Sequence, residues 1–342
     1  MRRTIKYAVA VIAALAVGIY VNNTTLLAAR HEEKPILLAH RGIAQRFDEH
    51  DLKNDTCTAA RMLPPTHDHL ENTIRGIRAG FDAGADIVEI DVHPTTDGEF
   101  AVFHDWTLDC RTEGHGVTRE HAMADMRTLD IGYGYTADGG KTFPFRGKGV
   151  GMMPSLSEVL TAFPDKRLLI NVKSRDRSEG EKLTAVLNGL PADHRSRIMV
   201  YGGDEPIEMI RRLAADIRTI SRASIKSCLL RYIGYGWTGV VPQACTRAMV
   251  LVPINVAPWL WGWPDRFVNR MKAANSVVFA LGPYSGGEFS TGIDTPEMFA
   301  RLPAGYGGGI WTNEIEEIAR LAGRRVSAGP RDQFSRTTMA PR

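Results

Sequence analysis

The sequence predicts an α/β fold built on a parallel sheet, a TIM-like (β/α)8 barrel in a single domain with long loops at the C-terminal face of its strands. Three observations lead there. Short apolar, β-branched runs recur along the chain, and several are apolar throughout rather than alternating, as strands covered on both faces are. Amphipathic stretches separate them, so the units read strand–helix. Within 342 residues no repeat, low-complexity tract or linker divides the chain, and α/β barrels run to about 250 residues as one domain.

The runs are Ile36–Ala39, Ile87–Val92, Phe100–Phe103, Leu168–Val172, Ile198–Val200, Thr219–Ser221, Met249–Ile254, Val277–Leu281 and Gly309–Trp311. Glu71–Ala83 carries a turn-spaced apolar stripe, and Ser155–Phe163 opens with a serine at the N-cap position. Pro206–Ala215 and Thr295–Leu302 repeat the pattern. Three connections exceed what a minimal barrel needs: Ile43–Leu70, the glycine-rich Gly132–Met153, and Pro253–Pro264 with its Trp259, Trp261 and Trp263. Loops of that length in a compact domain are functional or disordered. The glycine-rich stretch reads as a mobile lid with Lys141 or Arg146 as substrate contacts. The tryptophans are either core or an aromatic wall or membrane-interface anchor.

The barrel domain is expected over residues 34–325, flanked by a leader, 1–29, and a polar tail, 331–342. The leader has Arg2, Arg3 and Lys6, then about 15 apolar residues, the pattern of a signal peptide or N-terminal membrane anchor. Cleavage after Ala29 would put Leu27 at −3, an imperfect site. An exported chain, periplasmic or extracellular and held by this segment, is the expectation, with membrane association through the segment or the Trp-rich loop. Of 42 Lys and Arg against 39 Asp and Glu, the excess of three lies wholly in the leader, which has no acid. The body is formally neutral, so no nucleic acid partner is expected.

Cys57, Cys110, Cys228 and Cys245 form no C-x-x-C pair, which disfavours zinc. An oxidising compartment permits two disulfides. Cys57–Cys110 with Cys228–Cys245 closes each bridge within one half of the chain; spacing alone leaves four buried thiols as the alternative.

Chemistry concentrates where the runs end. Ile36–Ala39 leads into His40-Arg41-Gly42, the second run carries Glu89 and Asp91 and leads to His93, the third leads to His104-Asp105, and the fourth carries Asn171 and leads to Lys173. Residues two apart on a strand share a face, so Glu89 and Asp91 lie together and need a divalent cation or water between them. Oxygen ligands suit Mg²⁺ or Ca²⁺. Each residue alone has an ordinary structural reading; four successive runs ending in ionisable groups do not.

His40-Arg41-Gly42, Glu71-Asn72-Thr73, Glu89-Ile90-Asp91-Val92, the Asp97-Gly98 turn and His104-Asp105 together resemble the glycerophosphodiester phosphodiesterase family, in order and spacing, from residue 36 to about 173, except for a longer insert before Glu71. The resemblance implies a metal-dependent enzyme that hydrolyses glycerophosphodiesters to glycerol 3-phosphate and an alcohol. It casts His40 and His104 as the acid/base pair and Glu89 and Asp91 as metal ligands. Arg41 and Lys173 would hold the phosphate, with Glu71 orienting Arg41 or the metal shell; Trp311, at the end of the last run, is a separate candidate for the pocket wall. The attacking group it implies is the neighbouring glycerol hydroxyl, giving a cyclic phosphate that water opens. One position departs: the family's Glu-x-Lys is here Asn171-Val172-Lys173, which leaves Asn171 as third metal ligand and removes one negative charge. A relative cleaving phospholipid or lysophospholipid headgroups, and a non-catalytic binder, are the alternatives.

Overall fold

The computed structural model describes residues 2–29, 34–53, 56–286 and 291–324. The expected tail at 331–342 lies outside the described residues.

All nine runs are strands: β1 (Ile36–Ala39), β2 (Ile87–Pro94), β3 (Phe100–Val102), β4 (Arg167–Val172), β5 (Ile198–Gly202), β6 (Arg218–Ser221), β7 (Met249–Pro253), β8 (Val277–Leu281) and β9 (Gly309–Thr312). Eight run parallel in the order β6-β5-β4-β2-β1-β9-β8-β7. A parallel bridge from Thr219 to Ala248 brings the two ends together. The result is a nearly closed (β/α)8 barrel.

β3 corrects the expectation that the first four runs end at equivalent positions. It pairs antiparallel with the end of β2, Val92 opposite Val102 and Pro94 opposite Phe100. The Asp97-Gly98 turn reverses the chain: Gly98 takes φ +88°, and the Asp97 carboxylate accepts from Thr95 Oγ1 and the Met123 amide. The chain therefore descends into the mouth, and His104 reaches it from above.

Two layers of apolar packing surround the sheet. Val88, Ile90, Leu168, Ile170 and Val200 point outward against the helices, while Leu38, Ile87, Leu169, Met199, Leu251, Phe279 and Trp311 fill the barrel. The alternation of the pleat fixes what lies two residues further on: His40, Glu89 and then Asp91, Asn171, Tyr201 and Asn313 stand above that apolar floor. The helix Leu156–Ala162 starts on a full capping box, Ser155 with Glu158, as its sequence predicts.

A third core is separate. Ala59, Met62, Leu70, Phe103, Leu108, Met123, Met126, Ile131, Tyr135, Phe145 and Met153 pack together, so the two long connections on the β1–β4 side form one lobe. The glycine-rich stretch expected to be a mobile lid is part of that packing. Arg146 stacks on Phe143 and Tyr133, at 3.7 and 3.9 Å from the ring centroids, and Lys141 is exposed. Both expected disulfides are present, Cys57–Cys110 in the lobe and Cys228–Cys245 on the far side.

Candidate active site

The His-Arg-Gly turn after β1 is set by a close approach. A Cβ on Gly42, at φ +77°, would sit 2.6 Å from the Gly76 carbonyl oxygen, so only glycine lets the turn meet the helix Ile74–Asp82. Arg41 takes φ +60°, which costs a non-glycine residue about 1–2 kcal/mol. Both its backbone groups are held, the amide donating to Glu89 Oε2 (3.1 Å) and the carbonyl accepting from the Asn72 amide (3.1 Å). Its guanidinium pairs with Glu71 Oε1 at 3.0 Å and Asp91 Oδ2 at 3.3 Å.

Glu71, Asn72 and Thr73 divide three tasks. Glu71 holds Arg41. Asn72 brackets Asp91, donating to Oδ2 and accepting from its amide, each at 3.0 Å. Thr73 caps the helix through the Gly76 amide. The Glu71 carboxylate faces the guanidinium groups of Arg41 and Arg111.

Glu89 and Asp91 are fully buried. Glu89 accepts from Tyr201 Oη at 2.7 Å, while Asp91 Oδ1 receives the Asn171 amide at 2.8 Å and lies 3.5 Å from Lys173 Nζ. Burial and then the neighbouring Asp91 push the Glu89 carboxyl up. Burial also opposes ionisation of Asp91, but Lys173, His104 and Arg41 outweigh it and hold the group well below the ordinary range. Among the described residues no group of three or more His, Cys, Asp and Glu forms a ready metal cluster. The donors nonetheless suit a hard cation: two buried carboxylates that cannot both ionise comfortably, with the Asn171 carboxamide beside them. Asn171 turns its amide nitrogen, not its oxygen, towards Asp91, so its expected role as ligand is not displayed.

The two histidines are supported differently. His40 Nδ1 lies 2.6 Å from Asn313 Oδ1, and Asn313 in turn donates to Asp294 through its side chain (2.7 Å) and backbone (2.6 Å). With the Asn313 nitrogen committed to Asp294, its oxygen accepts, so His40 carries its proton on Nδ1 and leaves Nε2 a free base, 3.8 Å from Glu89. His104 Nδ1 contacts Asp105 Oδ1 at 2.7 Å. Burial and then Arg41 drive His40 down to about 3; the same two causes lower His104, with the ionised Asp105 acting against them.

Trp311 lies below the mouth, its ring 5.3 Å from His40 and 5.6 Å from Tyr201, so it forms the pocket floor beneath His40. His93 is buried against the His104 carbonyl and the edge of Trp106. The sequence assigns no role to Asn72, although it stands in a quoted motif, nor to Arg111, Tyr201, Asn313 or Asp294. The pleat gave a signal for two of them, since Tyr201 follows Met199 and Asn313 follows Trp311 at interior spacing. Arg111 had none.

Ionisable groups gathered at the C-terminal mouth of a parallel barrel define a barrel protein whose chemistry sits on its βα loops. The sequence matches the model of the glycerophosphoryl diester phosphodiesterase family over residues 40–225, and the chain belongs to that family. It is 35% identical over 140 residues to a glycerophosphodiester phosphodiesterase of Caldanaerobacter subterraneus, covering 41% of this chain and 45% of that protein. With one from Bacillus subtilis it shares 36% over 123 residues, 34% of this chain and 41% of the relative. The chain thus spans under half the length of these two relatives. Among solved structures, the family domain of an uncharacterized Mycobacterium tuberculosis protein superposes with a TM-score of 0.59 at 14% identity, over 84% of this chain and 99% of that one. An Oleispira antarctica phosphodiesterase in complex with sn-glycerol-3-phosphate gives 0.52 at 18%, over 84% and 96%.

Proposed function

We propose that this chain hydrolyses glycerophosphodiesters to glycerol 3-phosphate and an alcohol, with a divalent cation, Mg²⁺ or Ca²⁺, at Glu89, Asp91 and Asn171. The observation that carries the reading is the pair of unlike-supported histidines, His40 on Asn313 and His104 on Asp105, beside Arg41 and Lys173. Charge agrees with it. Ionised, Glu71, Glu89, Asp91 and Asp105 outnumber Arg41, Arg111 and Lys173 by one negative charge, although Glu89 reaches that state only with a cation beside it. A divalent cation would invert that net charge to match one phosphodiester anion. The cation would supply charge neutralisation at the phosphoryl oxygens.

His40, with a neutral amide behind it and Nε2 free, takes the proton of the attacking glycerol hydroxyl as that oxygen bonds to phosphorus. His104, whose imidazolium Asp105 stabilises, gives a proton to the departing alcohol as its P–O bond breaks. Water then opens the cyclic phosphate with the roles exchanged. Arg41 and Lys173 hold the phosphoryl oxygens throughout. The test is product analysis: glycerophosphocholine should yield glycerol 3-phosphate and choline. Release from lysophosphatidylcholine vesicles alone would favour the headgroup-cleaving alternative, and binding without turnover the non-catalytic one.

We also infer export and anchoring. The helix Arg2–Asn23 is apolar, exposed, and about 33 Å long at 1.5 Å per residue, with its basic residues at one end. Its other end is fastened to the barrel: Arg270 donates to the Asn22 carbonyl (2.8 Å) and Asn23 Oδ1 (3.0 Å), and both asparagines donate to the Trp237 carbonyl. Trp237, Trp259 and Trp261 are exposed on that side, which suits a membrane interface.

A further inference from the structure

Arg111 is almost fully buried, at 2% exposure, in the loop that follows His104. Its guanidinium spans two functional groups at once. Nε lies 2.9 Å from Asp105 Oδ2, and Nη2 lies 3.3 Å from Glu71 Oε1. The other oxygen of Asp105 holds His104, and the same Glu71 oxygen holds Arg41 at 3.0 Å. The remaining donors go to Tyr135 Oη and, at 2.7 Å, to Thr58 Oγ1. One side chain therefore sets the carboxylate that orients the imidazole and the carboxylate that orients the phosphate-binding arginine.

What keeps Arg111 there is covalent. Cys57 immediately precedes Thr58 and Cys110 immediately precedes Arg111, and the two cysteines are bonded. The disulfide thus joins the residues adjacent to both ends of the Arg111–Thr58 contact. It ties the insert that precedes Glu71 to the loop that follows His104. Fixing a buried arginine costs side-chain entropy besides the desolvation of its charge, and a covalent tie beside it offsets part of that cost. Cys228–Cys245 has no such neighbour: it bridges the helix Arg222–Tyr235 to the segment before β7.

We propose that Arg111 is a positioning residue for both His104 and Arg41, and that the Cys57–Cys110 disulfide locks it in place, so that turnover depends on this bridge and not on Cys228–Cys245. The proposal rests on the reading of His104 as the acid. Arg111 touches no reacting atom; it fixes the Asp105 rotamer and keeps Asp105 and Glu71 ionised by sharing one cation between them.

The test uses the full chain turning over glycerophosphocholine, with thermal unfolding recorded for each variant. Arg111→Lys, which keeps the charge and loses the fork, should lower kcat about tenfold to a hundredfold, the scale set by partners that orient a working group, with KM changed less than threefold. Arg111→Lys in an Asp105→Asn background should cost far less than it does alone, because the route through Asp105 is already cut. Cys57→Ala with Cys110→Ala should lower kcat similarly and add little to Arg111→Lys. Cys228→Ala with Cys245→Ala should leave kcat within twofold. A folded Arg111→Lys with unchanged kcat, or full additivity with Asp105→Asn, overturns the positioning role. Equal kcat losses from the two disulfide deletions overturn the lock. A wild-type chain inert toward every diester sinks the functional reading and this inference together, whereas an active wild type indifferent to Arg111→Lys sinks the inference alone.

Discussion

The two sides of the barrel mouth are built from the same strand–helix unit and do different work. On the side of β1, β2 and β4 the interior positions change from apolar to ionisable over the last residues, and the stapled lobe packs above them. On the side of β7 and β8 the interior positions of both strands are apolar, with Met249, Leu251, Phe279 and Leu281 along them. That side carries the second disulfide, the Trp-rich loop and the docked end of the N-terminal helix. Its contributions to the site come from β9 and the loops on either side of it, as Trp311, Asn313 and Asp294. A barrel can thus confine its polar burial to one arc and keep the other as continuous apolar core and attachment surface.

The contrast can be broken or sharpened by substitution, and the largest effects belong to the polar arc. His40→Ala or His104→Ala should cut turnover by about 10²–10⁴, measured as glycerol 3-phosphate release with folding confirmed by thermal denaturation. Asn171→Glu adds the carboxylate the polar arc lacks. It should tighten Mg²⁺ or Ca²⁺ binding about tenfold by isothermal titration, and an unchanged isotherm removes Asn171 from the cation shell.

A third expectation concerns the lobe's own stability. His67 Nδ1 accepts from the His69 amide at 3.2 Å and lies 3.0 Å from Gln45 Nε2. Burial and then the neighbouring His69 lower it to about 4. A folded-state value below the unfolded 6.5 means the unfolded chain binds the proton first, so this contribution is complete above pH 6.5 and is lost as pH falls through about 4. His67→Asn, which keeps an acceptor and cannot titrate there, should flatten chemical denaturation midpoints between pH 6.5 and 4. An identical pH slope in the variant would remove His67 as the source. The smallest effect lies on the attachment side. Trp259, 71% exposed, should change stability by less than about 0.5 kcal/mol as Trp259→Ala and leave turnover of soluble diesters alone, while weakening vesicle sedimentation of the chain.

Most of the fold was legible because burial on both faces leaves an unbroken apolar run, and all nine runs became strands. The direction of β3 was not, since an apolar three-residue strand reads alike whether it is a stave or the return arm of a hairpin. The site was legible where one strand or turn carries two functional groups: His40 with Arg41, Glu89 with Asp91, Asn171 with Lys173. It was opaque where a single polar residue arrives from a distant loop. Arg111 sits in a stretch with no periodicity, and only folding the lobe brings it to Asp105 and Glu71. Asp294 supports His40 through Asn313, two contacts away. The Gly132–Met153 stretch misled because glycine content signals backbone freedom, whereas here Gly132, Gly134 and Gly149 are glycines because backbone passes within 2.5 Å of where a Cβ would stand.

On the proposed reading two histidines with unlike support divide the proton transfers, His40 as base and His104 as acid. That division is tested by comparing His40→Ala and His104→Ala on glycerophosphocholine and on the p-nitrophenyl diester of glycerol phosphate, whose phenolate leaves without a proton. The prediction is that His104→Ala recovers most of its lost rate on the p-nitrophenyl substrate while His40→Ala stays impaired on both. Equal impairment of the two variants on both substrates, or recovery by His40→Ala instead, would contradict it.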